Sequence, residues 1–345
     1  GIIDLILDPF NANIIYAASW PRVRNNRESL LSGINATIFK SVDGGITWNK
    51  SDNGLKLGPK GRIGLVASKL TPNLLFSIVI GENNEWEGFY KSVNGGANWV
   101  NLLTNTGSNA LPDNAMGGFG WYFGKIEINP KNDKDLFILG VDLWRSNDGG
   151  VTWFLGAPPW YENKVHADKH DLVFLNDTDL LLASDGGVYQ SKDNGQRWID
   201  YEEVPATQFY RIASNPHKPD SYYGGAQDHG TLIGENPQNW VRLYGGDGFQ
   251  QVFDPKNDNI FYTLTQNGNI LVTTNKGLSF NTAMNGIDKF EPVAWDAPLI
   301  RSHFNANTLY TGTSRVYKNT EGANASWKAI SDDLTDGNIY GARFH

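Results

Sequence analysis

The run His166-Ala-Asp-Lys-His-Asp171 places two imidazoles and two carboxylates within six residues. That mixture suits acid–base work or the holding of an ion. In an extended segment His166, Asp168 and His170 share one side. Neighbours two apart then lie ~7 Å apart and could share an ion, whereas the outer pair, ~13 Å apart, could not. The run supplies at most two ligands, with His166 and Asp168 as the candidate pair, and further ligands must come from elsewhere. Three acidic glycine turns follow: Ser184-Asp-Gly-Gly187, Gln227-Asp-His-Gly230 and Gly245-Gly-Asp-Gly248. An Asp beside Gly is first of all a hairpin turn. Their expected place on matching loops at one face of neighbouring repeats nevertheless groups Asp168, Asp185, Asp228 and Asp247 with His166, His170 and His229. Asp228 and Asp247 are the best pair for two-carboxylate glycoside hydrolysis, one as acid and one as base. His166 and His170 would orient the carboxylates or hold an ion.

Tryptophan is the second candidate class. Of 12 Trp, six recur at regular places and six do not: Trp20, Trp86, Trp121, Trp144, Trp160 and Trp295. Trp144 sits at the edge of an irregular segment, and the other five lie within one. An exposed indole is costly unless it meets a ligand or partner, and its flat face suits a sugar ring. Trp20, Trp86, Trp121, Trp160 and Trp295 are therefore candidate sugar platforms, with Asp185 and His229 beside them. The competing reading has these rings packing long loops against one another.

The elements that must position these residues are repeats. Ser41-Val-Asp-Gly-Gly-Ile-Thr-Trp48 returns as Ser92 to Trp99, Ser146 to Trp153 and Ser191 to Trp198. Weaker copies run from Thr273 to Phe280 and from Asn319 to Trp327, and Asn236-Pro-Gln-Asn-Trp240 keeps only the aromatic. A second marker opens each repeat: an alternating apolar run, an Asp/Asn/Pro turn and another apolar run, as in Ile3 to Tyr16 and Lys125 to Ile138. Each repeat thus reads as four short strands. The anchors at 48, 99, 153, 198, 240, 280 and 327 are 40 to 54 residues apart, the period of propeller blades. The expected fold is all-β: a seven-bladed β-propeller of four-stranded antiparallel blades over residues 1–332. The blades should end near 50, 101, 155, 201, 243, 282 and 330. Residues 333–345 would add a closing strand or begin a further segment.

The repeat resembles the Asp-box, or BNR, hairpin of sialidases, sortilin-type receptors and family 74 xyloglucanases, all β-propellers. The resemblance covers nearly the whole chain and implies that the box is a structural clip rather than the site. The stretch from His166 to Asp247 also resembles bacterial secreted proteins of a glycosyl-hydrolase-like group. Their pattern is HxDxH, a DGG turn, GGxQDNG and GGDG, and here His229 stands where that pattern has Asn. This likeness implies a shared site without naming a reaction. Sialidases of this repeat class carry an F/Y-R-I-P motif and clamp their acidic sugar with three arginines. No such tetrapeptide occurs, so a neutral glycan is the expected ligand.

Composition bounds the rest. Net charge is −8, and no Lys/Arg cluster exceeds Arg22-Val-Arg24-Asn-Asn-Arg27, which argues against nucleic acid as partner. The absence of Cys removes disulfides and thiol chemistry, and no apolar run is long enough to span a membrane. A Cys-free, Trp- and Asn-rich β protein suits secretion or a cell surface. Three readings stay open: a polysaccharide binder or hydrolase, a sortilin-like surface protein with a protein partner, and a Ca²⁺-stabilised structural module.

Overall fold

Apolar residues alternate with polar ones between Asx/Gly turns, so the chain folds into short antiparallel strands. The computed structural model describes residues 1–345 apart from 26–27, 103–109, 202–203, 205–206, 237–238, 325 and 336–345. Arg27 of the basic loop, Pro237 and Gln238 of the degenerate box, and most of the expected tail segment therefore lie outside the described residues. Two compact units are present, residues 1–204 and 205–345.

Residues 1–204 hold four four-stranded sheets. Blade 1 is Ile2–Asp8, Asn11–Ser19, Ile38–Ser41 and Asn49–Lys50. Blade 2 is Ile63–Ala67, Leu75–Ile80, Trp86–Ser92 and Val100–Asn101. Blade 3 is Lys125–Asn129, Asn132–Leu139, Leu143–Ser146 and Phe154–Leu155. Blade 4 is Lys169–Phe174, Leu180–Ser184, Gly187–Ser191 and Ile199–Asp200. A small ribbon, Val23–Arg24 with Ser29–Leu30, decorates the insertion of blade 1.

Residues 205–345 hold three such sheets. Blade 5 is Phe209–Asn215, Lys218–Ala226, Gly230–Asn236 and Asn239–Tyr244. Blade 6 is Gln251–Phe253, Phe261–Thr265, Asn269–Thr273 and Asn281–Thr282. Blade 7 is Leu299–Arg301, Leu309–Gly312, Val316–Asn319 and Lys328–Ala329. Within each unit the first strands of successive sheets neighbour one another. This is the β-propeller arrangement, and no α-helix occurs among the described residues.

The boxes are clips. Ser41 Oγ donates to Asp43 Oδ1 at 2.7 Å and accepts the Gly45 N–H at 2.8 Å. Asp43 also accepts the Thr47 N–H and hydroxyl, at 2.9 and 2.6 Å. The Thr47 hydroxyl above all holds the Asp43 carboxyl down at about 2. Every partner lies inside the turn. The same closure recurs at Ser92, Ser146, Ser191 and Thr273.

The anchors pack backwards onto the preceding blade. Trp99 Nε1 donates to Ser51 O at 2.8 Å, Trp198 Nε1 to Gly156 O at 3.1 Å and Trp327 Nε1 to Ala283 O at 2.7 Å. Trp153 meets Phe89 edge-on at 5.3 Å. The leading blade of each unit has no earlier blade in that unit, and its anchor differs. Trp48 and Trp240 are each 39% exposed. The Trp48 indole bonds its own turn at Gly45 O, and Trp240 lies on Phe209 of its own sheet at 5.2 Å.

Candidate functional site

In residues 1–204 the His/Asp run leads into the first strand of blade 4, and it is not extended. Asp168 has φ 67°, a left-handed kink that breaks the expected one-sided alternation of His166, Asp168 and His170. Backbone bonds fix the kink. Asp168 N–H donates to Val141 O at 3.1 Å, Lys169 N–H to Gly140 O at 2.9 Å and Asp185 N–H to Asp168 O at 3.2 Å. The Lys169 side chain is fully buried, and its Nζ donates to Val141 O at 2.8 Å. Burial lowers the Lys169 pKa to about 8.

The kink brings the run onto the DGG turn. His170 Nε2 lies 2.5 Å from Asp185 Oδ1, and its ring meets Tyr122 edge-on at 4.6 Å. His166 covers Gly186, where a Cβ would fall 2.2 Å from His166 Cγ. His166 Nδ1 sits 3.0 Å from Ala167 O, so that nitrogen carries the proton. Asp168 and Asp185 bring carboxylate oxygens within 4.8 Å of each other. Burial first, and then the Asp185 charge, raises the Asp168 pKa. Asp168 and Asp185 are thus the carboxylates of this unit that could face one cation. The His166–Asp168 pairing expected from strand geometry gives way to an Asp168–Asp185 pair with His170 on its flank.

The expected tryptophan platforms divide. Trp20 is 5% exposed and donates Nε1 to Leu31 O at 2.8 Å. Trp86 donates Nε1 to Pro112 O at 2.6 Å and packs on the core between blades 2 and 3. These two hold loops together, which corrects their assignment as sugar platforms. Trp121 is half-buried beside Tyr122, at 5.4 Å. Trp160 is 53% and Tyr161 64% exposed. They sit on a short 3-10 turn whose first N–H, that of Trp160, donates to Asp142 Oδ1 at 2.9 Å.

A further polar cluster lies on blade 3. Lys125 and Glu127 alternate with buried Ile126 and Ile128 on the first strand of blade 3. Lys125 Nζ lies 2.6 Å from Asp171 and 3.9 Å from Glu127. Burial pushes the Glu127 pKa up to about 7; Lys125 opposes this, and Asp171 and Asp4 add to it. Two charged residues on consecutive polar positions of an innermost strand are its signal in the sequence.

In residues 205–345 Asp228 occupies the turn between the second and third strands of blade 5, with φ 61°. Its N–H donates to Oδ1 of the buried Asp247 at 2.8 Å. The pair is brought together, but Asp247 clamps a turn. His229 folds back on the same turn, its Nδ1 3.1 Å from Gln227 O. The glycines of both motifs serve contact between two stretches of backbone. A Cβ at Gly225 would lie 1.9 Å from Phe249 O, and one at Gly248 2.1 Å from Gly230 O. Gly225→Ala is expected to cost about 1–3 kcal/mol; a loss below about 0.5 kcal/mol in urea unfolding would refute this close fit. Trp295 is half-buried, donates its indole N–H to Tyr210 and meets Phe249 edge-on at 6.2 Å. That engagement makes it a packing residue of this unit.

Neither a protein-family model nor a curated protein sequence matches the chain. Among solved structures it is similar to YCF48 bound to a D1 peptide, at 13% identity over 96% of this chain and 93% of that one, with TM-score 0.38. It is also similar to the GH74 xyloglucanase from Xanthomonas campestris, at 14% identity over 97% and 61%, with TM-score 0.45. A Niastella koreensis GH74 enzyme is similar at 18% identity over 95% and 55%, with TM-score 0.32. The chain therefore spans about half to three-fifths of the GH74 chains it matches. No helix among the described residues is long and apolar enough to cross a membrane.

Proposed function

We propose that the protein is a secreted or surface-exposed β-propeller that binds a polysaccharide on the loop side of residues 1–204. The observation that carries this reading is a group of exposed rings: Phe119 47%, Tyr122 41%, Trp160 53% and Tyr161 64%. The loops bearing them are joined. A Cβ at Gly117 would lie 2.8 Å from Val141, and Asp142 accepts the Trp160 N–H. Rings held this way present flat apolar faces with little ordering cost on binding. His170 meets Tyr122 edge-on and reaches Asp185, which lies within 4.8 Å of Asp168; these polar groups would bond sugar hydroxyls. Hydrolysis by Asp228 and Asp247 is not part of the proposal, because Asp247 is buried and occupied by the Asp228 amide.

The test is a glycan array followed by calorimetry. Trp160→Ala should weaken binding at least about tenfold, the scale of truncating an interface aromatic. Failure to retain any glycan would refute the reading, and retention of a surface protein in its place would favour the sortilin-like class. Reducing-sugar release that survives Asp168→Asn and Asp185→Asn would show a catalytic centre elsewhere.

A further inference from the structure

Two arginines from different blades converge on the aromatic loop of residues 1–204. Arg22 follows Trp20 in the insertion of blade 1. Its guanidinium lies 5.0 Å from the Trp20 ring centroid and 5.2 Å from that of Trp121, so two indoles hold one cation. Trp20 is itself fixed by its bond to Leu31 O. Arg62 immediately precedes the first strand of blade 2 and donates Nη1 to Tyr122 O at 2.6 Å. Both guanidiniums are therefore placed by the dipeptide Trp121-Tyr122.

Neither cation is neutralised at contact distance. Arg22 and Arg62 form no ion pair among the described residues, unlike Arg145, Arg211, Arg301 and Arg315. Burial draws the Arg62 pKa down; the Asp4 charge opposes this, and the Arg22 charge adds to it. Asp4 is already occupied, accepting the Leu5 and Leu65 N–H groups at 2.9 and 2.8 Å. In a chain of net charge −8, a pre-placed pair of guanidiniums without an ion-pair partner among the described residues, beside exposed rings, matches the charge and shape of a planar anion.

We propose that Arg22 and Arg62 bind the carboxylate of a uronic acid residue in an acidic polysaccharide, with Trp121 and Tyr122 against its ring. This rests on the polysaccharide reading and names the class of glycan. It also reverses the expectation of a neutral ligand. That expectation came from a missing arginine motif, whereas these arginines lie far apart in sequence and meet only through a third loop.

The experiment compares binding of the intact chain to polygalacturonate and alginate, their methyl esters, dextran and dextran sulfate, at two salt concentrations. A polyuronate should bind at least about tenfold tighter than its ester, as expected for a charge-assisted contact. Added salt should erode that preference. Arg22→Gln, at an exposed position, and Arg62→Lys, which keeps the charge without the fork, should each remove it. Trp160→Ala should weaken acid and ester alike. Equal binding of acid and ester would overturn this proposal and leave the polysaccharide reading standing. Equal retention of dextran sulfate would overturn the carboxylate assignment, as would a preference unchanged in both arginine variants. Absence of binding to every glycan would overturn both readings.

Discussion

Trp153→Ala should lower stability by about 3–5 kcal/mol, while Trp48→Ala should cost no more than about 1.5 kcal/mol. The two residues occupy the same place in the repeat, so the contrast isolates what the preceding blade contributes. Trp153 is 4% exposed and stands edge-on to Phe89 in the core shared by blades 2 and 3. Its truncation removes a large ring from a packed site and leaves a cavity that neighbours in staggered rotamers cannot fill. Trp48, at 39% exposure, rests on its own turn. Chemical unfolding followed by near-ultraviolet circular dichroism would read both values. Equal losses would mean that burial between blades is not what the anchor provides.

Glu127→Gln should stabilise the protein by about 1–3 kcal/mol above pH 7 and have almost no effect near pH 4. The folded-state pKa is raised from 4.5 to about 7, so the folded protein keeps a proton that the unfolded chain releases. The stability contribution is thus fully present below pH ~4.5 and is lost as pH rises through about 7. Gln mimics the protonated acid and should remove that slope. The side chain is 25% exposed, and solvent screening places the effect toward the lower part of the range. Parallel stability curves for wild type and variant between pH 4 and 8 would show that Glu127 is ionised throughout and held by Lys125.

The repeat was legible because its chemistry is local. Ser, Asp or Asn, Gly and the aromatic recur at fixed offsets, and each box closes within itself. A reader of the sequence could therefore place the turns, the four strands of each sheet and the all-β class. The site was less legible because it depends on which backbone segments touch. Asp228 with Asp247 resembled a carboxylate pair, yet the neighbouring glycines mark two loops in backbone contact, with Asp247 as their clamp. The kink at Asp168 could not be read from composition, since Asp tolerates both extended and left-handed backbone. Trp20 and Trp160 looked alike as loop tryptophans; the bond from Trp20 to the Leu31 carbonyl, across a fold of the same insertion, marks a buried brace, whereas Trp160 keeps an exposed face.

The degenerate box of blade 5 bears on association between chains. Where a box is present, the outermost strand has two residues, as at Asn49–Lys50, Val100–Asn101 and Phe154–Leu155. So short a rim offers little unpaired backbone for another chain to pair with. Blade 5 has lost the clip, and its hairpin continues into a six-residue edge strand, Asn239–Tyr244, with Trp240 and Val241 exposed and Arg242 as the one charge on it. In residues 205–345 this is the edge where strand-to-strand aggregation would begin on partial unfolding, and Arg242 is the residue that opposes it.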